Sequence, residues 1–352
     1  MKTICVLFGG KSSEYEVSLS SSYAVLSNID RAAYNIVCIG ITKDEGHWYR
    51  YDGPLGAIRD NSWCAHPETL PTVSLDLSTG KLLCTAPDGT VTAVVCDVAF
   101  PVLHGKYGED GTVQGLFAVA GIPVVGCGCT SSGVCMDKAF TKSIIAHDTD
   151  IRQAKAVIAR AEDAADMEAL RTKCEAAFGY PMFVKPSAAG SSVGVSKVKD
   201  ASGFAAAVTK AFREDSKVLI EETIVGCEIE VAVFEDHGKL FAAEAAEIDM
   251  GGSEFYDYDT KYVSDTSGYY LPARITPAQM AEVQAQAKTI FHALDCRVYS
   301  RVDFFLTKDG FVFNEINTIP GFTPISMYPR MMMHTGMTYA QLIDRMLSAA
   351  LE

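Results

Sequence analysis

Ser300-Arg301-Val302-Asp303-Phe304-Phe305, followed after a short turn by Phe311-Val312-Phe313-Asn314-Glu315-Ile316-Asn317, decides the architecture of the C-terminal part of the chain. Both runs alternate polar and apolar residues, so each reads as a strand with one polar and one apolar face. The period of two puts Asp303 on the side of Arg301, and Glu315 on the side of Asn317. Such a face gathers oxygen donors that suit Mg²⁺, an ion that keeps water and substrate phosphates in its remaining positions. Either run alone would read as a hairpin with polar residues in solvent; the tracts upstream decide against that.

Phe183-Val184-Lys185-Pro186-Ser187 leads into a Gly/Ser-rich turn, Ala188 to Gly194, which contains Ser191 and Ser192. A turn of this kind between two strands can aim several backbone N–H groups at a phosphate, and Lys185 adds a point charge. Its spacing matches neither GxxxxGK[ST] nor GxGxxG, so the nucleotide folds those motifs mark are not supported. Val218-Leu219-Ile220-Glu221-Glu222 ends an apolar strand on carboxylates, a suitable edge for adenine, and Glu228 follows as a candidate for ribose hydroxyls. Two glycine-dense loops close the first part of the chain, Gly9 to Ser18 with Glu14, and Leu103 to Gly115 with His104. Each follows a buried strand and precedes a helix, where α/β sheets bind ligands, so the pair points to one substrate site.

Around these tracts, short runs rich in Val, Ile and Phe alternate with helical patterns, the signature of α/β layers. Strands are expected at 2–8, 35–41, 95–103 and 122–127, helices near 16–28 and 113–120, and a polar insertion over 44–90. A helix over 131–146 opens a second unit. Strands at 154–160, 181–186, 195–199 and 217–224 follow, with helices at 166–178 and 202–215 between them. The last unit has strands at 228–234 and 239–246, a helix at 277–295, the two strands quoted above and a closing helix at 338–351. Glu247 to Tyr270 is long, irregular and rich in Gly, Asp, Ser and Tyr, which suggests a lid. The units are therefore 1–128, 129–225 and 226–352.

With 352 residues, 48% hydrophobic and 21% charged, the chain is long enough for two or three globular cores. A formal net charge of -14 argues against a nucleic-acid binder while leaving room for a local basic pocket. No apolar run reaches the ~18 residues of a membrane helix, and the first ten residues do not read as a signal peptide, so the cytoplasm is the expected location. The 11 cysteines, odd in number, dispersed and without a CxxC pair, read as free thiols in a reducing compartment.

In combination these motifs resemble the D-alanine–D-alanine ligase family of the ATP-grasp superfamily. The similarity rests on the GGxSxExEVSL-like start, HGxxGEDGxxQG, KPxxxGSSxG, a KY pair, RxD and NExNTxPGFT, and it extends to the closing helix. It implies a three-domain α/β architecture with ATP held between the last two lobes, ATP and Mg²⁺ as cofactors (Mn²⁺ as an alternative), D-alanine as substrate and a homodimer. It further implies that Lys138 and Lys185 bind phosphates, with Ser192 and Lys261 also at ATP, that Glu221 contacts adenine and Glu228 ribose, and that Asp303, Glu315 and Asn317 hold the metal. Glu14 would hold the ammonium of the first D-amino acid, with Ser191 and Tyr262 as its hydrogen-bonded partners. Arg301 would stabilise the oxyanion with backbone N–H groups around Gly321. Ser326 would bind the second substrate's carboxylate, while His104 and Met327 fall at substrate positions. The segment His147 to Arg152 departs from the family's usual glycine- and proline-containing link.

Rival readings explain less. A dinucleotide-dependent dehydrogenase lacks its GxGxxG here, and a non-catalytic nucleotide binder would be expected to have lost a metal or phosphate ligand. The sister ligases that take D-serine or D-lactate are nearer. D-lactate ligases resemble one another in a histidine where this chain has Tyr262, and D-serine relatives commonly carry arginine at Met327, so D-alanine is the expected acceptor and D-serine the alternative.

Overall fold

The computed structural model describes residues 1–190, 193–249 and 268–351, which build three β-sheets from successive stretches of chain. The first sheet contains β1 (Lys2–Gly9), β2 (Tyr34–Ile41), β3 (Trp48–Tyr51), β4 (Thr72–Asp76), β5 (Lys81–Thr85), β6 (Val91–Val95) and β7 (Val98–Pro101), in the order β6-β5-β4-β3-β2-β1-β7. β1 runs parallel to both β2 and β7, with the helix Tyr15–Asn28 crossing from β1 to β2. The fully apolar interior of β1 follows from burial on both faces, since Cys5 and Leu7 join one core and Ile4, Val6 and Phe8 another.

Two expectations need correction here. The polar stretch 44–90 is no insertion beside the sheet, because β3, β4 and β5 continue it with antiparallel pairing. These strands are half exposed and interrupted by polar turns, which hid them. The strand expected over 122–127 shrinks to one bridge between Ala99 and Val124. Pro123 has no N–H to donate, and Gly126 turns the chain with a φ of +116°.

The second sheet is antiparallel, β10 (Ser196–Val198), β9 (Met182–Pro186), β11 (Lys217–Glu222) and β8 (Ala156–Arg160) in that spatial order. Helices Met167–Ala177 and Phe204–Ala211 bury Leu170, Cys174, Phe204 and Val208 against Val184 and Ile220. The helix expected over 131–146 is two helices, Cys129–Met136 and Lys138–Asp148. Asp137 breaks it in an extended conformation and caps the second piece, its carboxylate accepting from the N–H groups of Ala139 and Phe140.

The third sheet contains β12 (Cys227–Asp236), β13 (Lys239–Ala242), β14 (Ala246–Asp249), β15 (Gly268–Tyr270), β16 (Tyr299–Thr307) and β17 (Gly310–Asn317). Its order is β15-β14-β12-β16-β17, with β13 also on β12. The strand expected over 239–246 is thus two, and the ends of the tract 247–270 are strands too. The rest of that tract, 250–267, where a lid is expected, lies outside the described residues. Helix Pro277–Ala293, opened by the capping box of Thr276 and Gln279, packs Val283, Ile290 and Phe291 on Phe304 and Phe313.

Helix Met327–His334 has no counterpart among the expected elements; its Pro329 lies in the first turn, where no helical hydrogen bond is lost. It and helix Tyr339–Ala350 share a core with Phe8, Leu26 and Phe100 of the first sheet and its helix, so both ends of the chain pack together. The unusual link near 147–152 is also held. Arg152 accepts from Phe313 N–H at 2.8 Å and donates through Nη1 to Asp309 O at 2.6 Å, which ties it to the β16–β17 hairpin. Among the described residues no helix is long and apolar enough to cross a membrane.

Candidate active site

A cavity of about 390 Å³ opens between the second and third sheets. Its wall includes Glu14, Lys138, Lys185, Glu221, Glu228, Arg301, Glu315 and Asn317, eight of the residues singled out in the sequence. Register explains the floor. Across β12, β16 and β17, Glu230 faces Asp303 and Asp303 faces Glu315, while the next row runs Ala232, Arg301, Asn317. Three carboxylates side by side on adjacent strands repel one another unless cations sit among them.

Protein cations do so here. Arg301 grips Asp303 with both edges, Nε to Oδ1 at 2.8 Å and Nη2 to Oδ2 at 2.7 Å, and lies 3.3 Å from Glu230 Oε2. Asn317 donates through Nδ2 to Asp303 Oδ2 at 3.0 Å. Asp303 is fully buried beneath Arg301 and does not itself line the cavity. Glu228, Glu230 and Asp303 each offer an oxygen within 4.8 Å of the others. Together with Glu315 and Asn317 this is a hard-oxygen set of the sort that fits Mg²⁺.

The opposite wall is basic. Lys138 Nζ lies 3.4 Å from Glu315 Oε2 and donates to Ala189 O at 3.1 Å. Lys185, on β9, ion-pairs with Glu221 on the adjacent β11. Lys142 holds the other oxygen of Glu221 at 2.7 Å. Burial by itself would raise the Glu221 carboxyl, but the two ammonium groups outweigh it and hold the pKa below the ordinary value.

At the far end, Glu14 is buried where three loops meet. A Cβ at Gly105 would lie 2.4 Å, and one at Gly190 2.6 Å, from Glu14 Oε2, so both loops approach closely because they carry glycine. Gly105 also has a φ of +72°. Glu109 sits beside Glu14; burial first, and then the Glu14 charge, raises its carboxyl well above the ordinary carboxylate range.

His104, Gly321, Ser326 and Met327 do not line the cavity as formed by the described residues. His104 is buried below it, with Nδ1 2.9 Å from Ile319 O and Nε2 2.9 Å from Ser21 Oγ. Ser326 Oγ accepts from Thr323 N–H at 3.1 Å at the start of helix Met327–His334, and Met327 packs in the core with Phe322 and Tyr328. Ser191, Ser192, Lys261 and Tyr262 lie outside the described residues.

Sequence reasoning missed four residues of this neighbourhood. Lys142 stands one helical turn after Lys138, and Glu230 two places after Glu228 on the same strand face, so both spacings carried a usable signal. Glu109 was quoted within its loop without a role. Ser21 had no local signal, because its partners are distant in sequence.

Similarity to known proteins runs along almost the whole chain. A family model described as the N-terminus of D-ala D-ala ligase matches residues 3–127, and one described as its C-terminus matches 145–348. The D-alanine–D-alanine ligase of Caldicellulosiruptor bescii is 43% identical over 99% of this chain and 95% of its own. That of Corynebacterium diphtheriae is 42% identical over 99% and 95%. Among solved structures, the VanG D-Ala:D-Ser ligase from Enterococcus faecalis superimposes with a TM-score of 0.89 at 41% identity, covering 99% of each chain. The D-alanine–D-alanine ligase from Coxiella burnetii gives 0.86 at 29% identity, covering 99% of this chain and 94% of that one.

Proposed function

The chain belongs to the D-alanine–D-alanine ligase family, with its ATP-grasp fold, and from that premise we propose that this cavity joins two D-alanines with ATP through an acyl phosphate. The observation that carries the reading is a carboxylate row, with Glu230 and Asp303 buried and Glu315 reaching the cavity wall, set against the lysines Lys138 and Lys185 of the same cavity. That is the charge distribution needed by a nucleotide polyphosphate and its cation. The three units 1–128, 129–225 and 226–352 belong to the same reading, supported by one sheet in each.

A carboxylate is a poor acyl donor, because its charge resists attack and oxide is a poor leaving group. In the first step a carboxylate oxygen of the first D-alanine attacks the γ-phosphorus, the bond to ADP breaks, and a mixed anhydride forms. Lys138, Lys185 and Ser192 offset and orient the phosphate charge, Glu221 faces adenine and Glu228 ribose. Mg²⁺ or Mn²⁺, when held by Asp303, Glu315 and Asn317, supplies positive charge to the phosphates. Glu14, with Ser191 and Tyr262, fixes the ammonium of the first substrate. The deprotonated amine of the second D-alanine, oriented through its carboxylate by Ser326, then attacks the acyl carbon. Arg301 and the backbone around Gly321 stabilise the oxyanion, the bond from carbon to the phosphate oxygen breaks, the nitrogen gives up its extra proton to the departing phosphate, and the amide remains. Lys261 and His104 complete the site. The product is a peptidoglycan precursor made in the cytoplasm, where free thiols such as the 11 here persist, and the family resemblance suggests a homodimer.

The likeness to VanG favours one second reading, D-alanine–D-serine ligation. Met327 weighs against it, since a buried thioether offers a hydroxyl no strong partner. Phosphate release with ATP and Mg²⁺ against D-alanine, D-serine and D-lactate, with mass spectrometry of the products, tests both. No D-alanine-dependent ADP formation would overturn the proposal.

A further inference from the structure

The segment Ile319 to Phe322, which the ligase reading makes the source of oxyanion N–H donors, is fastened from the first sheet's side of the molecule. The Ile319 peptide is held on both faces. Its N–H donates to Glu109 Oε1 at 3.1 Å, and its carbonyl lies 2.9 Å from His104 Nδ1. A carbonyl only accepts, so Nδ1 carries the proton. His104 is neutral in this buried place, which leaves Nε2 to accept from the Ser21 hydroxyl at 2.9 Å. Ser21 Oγ in turn accepts from Phe322 N–H at 3.1 Å. Glu109 closes the circuit on its own loop, Oε2 accepting from Gly105 N–H at 2.7 Å. The three contacts made to the segment itself join partners 210 to 301 residues apart along the chain.

We infer that Glu109, with Ser21 and His104, forms a positioning clamp that sets the backbone of 319–322 for the second chemical step, amine attack on the acyl phosphate. These are positioning residues, acting through the loop. The inference rests on the ligase reading. Loosening the clamp leaves phosphoryl transfer to D-alanine, which relies on Lys138, Lys185 and the carboxylate floor, and slows the step that needs the oxyanion donors. The waiting acyl phosphate is then lost to water.

Glu109→Gln tests this at constant shape. Both Glu109 oxygens accept, one from Gly105 and one from Ile319, whereas an amide has one oxygen and must turn its NH₂ against one of those donors. Ser21→Ala removes the Phe322 acceptor independently, so a failure of either variant to fold leaves the other to decide. Phosphate and dipeptide are measured together in ATP, Mg²⁺ and D-alanine, with hydroxylamine to trap the acyl phosphate. The phosphate-to-dipeptide ratio should rise roughly tenfold above the wild-type value, since losing one oxyanion donor typically costs 10²–10³ in rate. D-alanine hydroxamate should persist, and hydrogen exchange of the peptide covering 319–322 should quicken. His104→Asn, whose amide can still donate near Nδ1, should keep coupling better than His104→Gln. A ratio unchanged in folded variants overturns the clamp, even if total activity falls. Absence of dipeptide from the wild type would instead overturn the ligase reading.

Discussion

The Arg301 guanidinium holds both oxygens of the Asp303 carboxylate, at 2.8 and 2.7 Å, two residues away on the same strand face. A divalent ion can use Asp303 only if this fork loosens, and Glu230, 3.3 Å from Arg301 Nε, is placed to keep the guanidinium nearby when it does. Metal loading at the proposed site would therefore exchange one cation for another over the carboxylate row. Glu315→Gln, which removes a carboxylate opposite Asp303, should lower ligation by at least about a hundredfold and weaken Mn²⁺ binding in the presence of ADP. Calorimetric titration of Mn²⁺ checks the second point without turnover. Wild-type affinity in the variant, or wild-type ligation in excess chelator, would remove the proposed metal site.

His104 supplies a stability prediction with a definite sign. Burial lowers its pKa from 6.5 to about 4, so between those values the unfolded chain binds the proton more readily than the folded one. Its contribution is intact above the unfolded value and is lost as pH falls from about 6.5 toward 4. Between pH 7 and pH 5 this group alone should cost the wild type about 2 kcal/mol. His104→Asn has no such group. Denaturant unfolding of both proteins at the two pH values should show the wild type losing that much more than the variant. Parallel losses would mean that His104 is not held neutral in the fold.

Legibility in the sequence followed the range of the interactions. The β16–β17 tract was readable because a period of two depends only on neighbours, and it correctly placed Arg301 with Asp303 and Glu315 with Asn317. Adding β12 required knowing which strand pairs with β16, so the place of Glu230 in the carboxylate row stayed hidden although it shares a strand face with Glu228. The clamp on Ile319 was less readable still, since Ser21, His104 and Glu109 meet it only after the chain ends are brought together. Helix Met327–His334 carries Pro329 in its first turn, where a proline's position and not its presence decides its effect.

Lys142 tests whether the basic wall is shared by two lysines on Glu221 or belongs to Lys185. It holds Glu221 Oε1 at 2.7 Å and donates to Ala154 O at 3.2 Å, so it fixes the carboxylate proposed to contact adenine. Lys142→Met keeps the apolar stem and removes the charge. The remaining ammonium of Lys185 should then be drawn more strongly to Glu221 and away from phosphate. KM for ATP should rise roughly tenfold with kcat within about twofold, the pattern of lost ground-state binding. A fall in kcat at unchanged KM would place Lys142 in the chemistry instead.

The ligase reading sets the acceptor beside helix Met327–His334, whose first residue is buried against Phe322 and Tyr328. Its N-terminus carries uncompensated N–H groups and the positive end of the helix dipole, a setting that favours a carboxylate beside Ser326. Either D-alanine or D-serine satisfies that requirement, so discrimination falls to the β-carbon. On that reading Met327, buried and outside the cavity wall, brings neither charge nor donor toward the acceptor, whereas an arginine would offer donors to a hydroxyl. A hydroxyl desolvated without a partner costs about 1–3 kcal/mol, enough for a preference of roughly tenfold or more. With equal D-alanine and D-serine at neutral pH, D-alanyl-D-alanine should therefore dominate, with a minor D-alanyl-D-serine product detectable by mass spectrometry. If D-alanyl-D-serine is the main product, the acceptor assignment is wrong and the apolar character of Met327 does not set it.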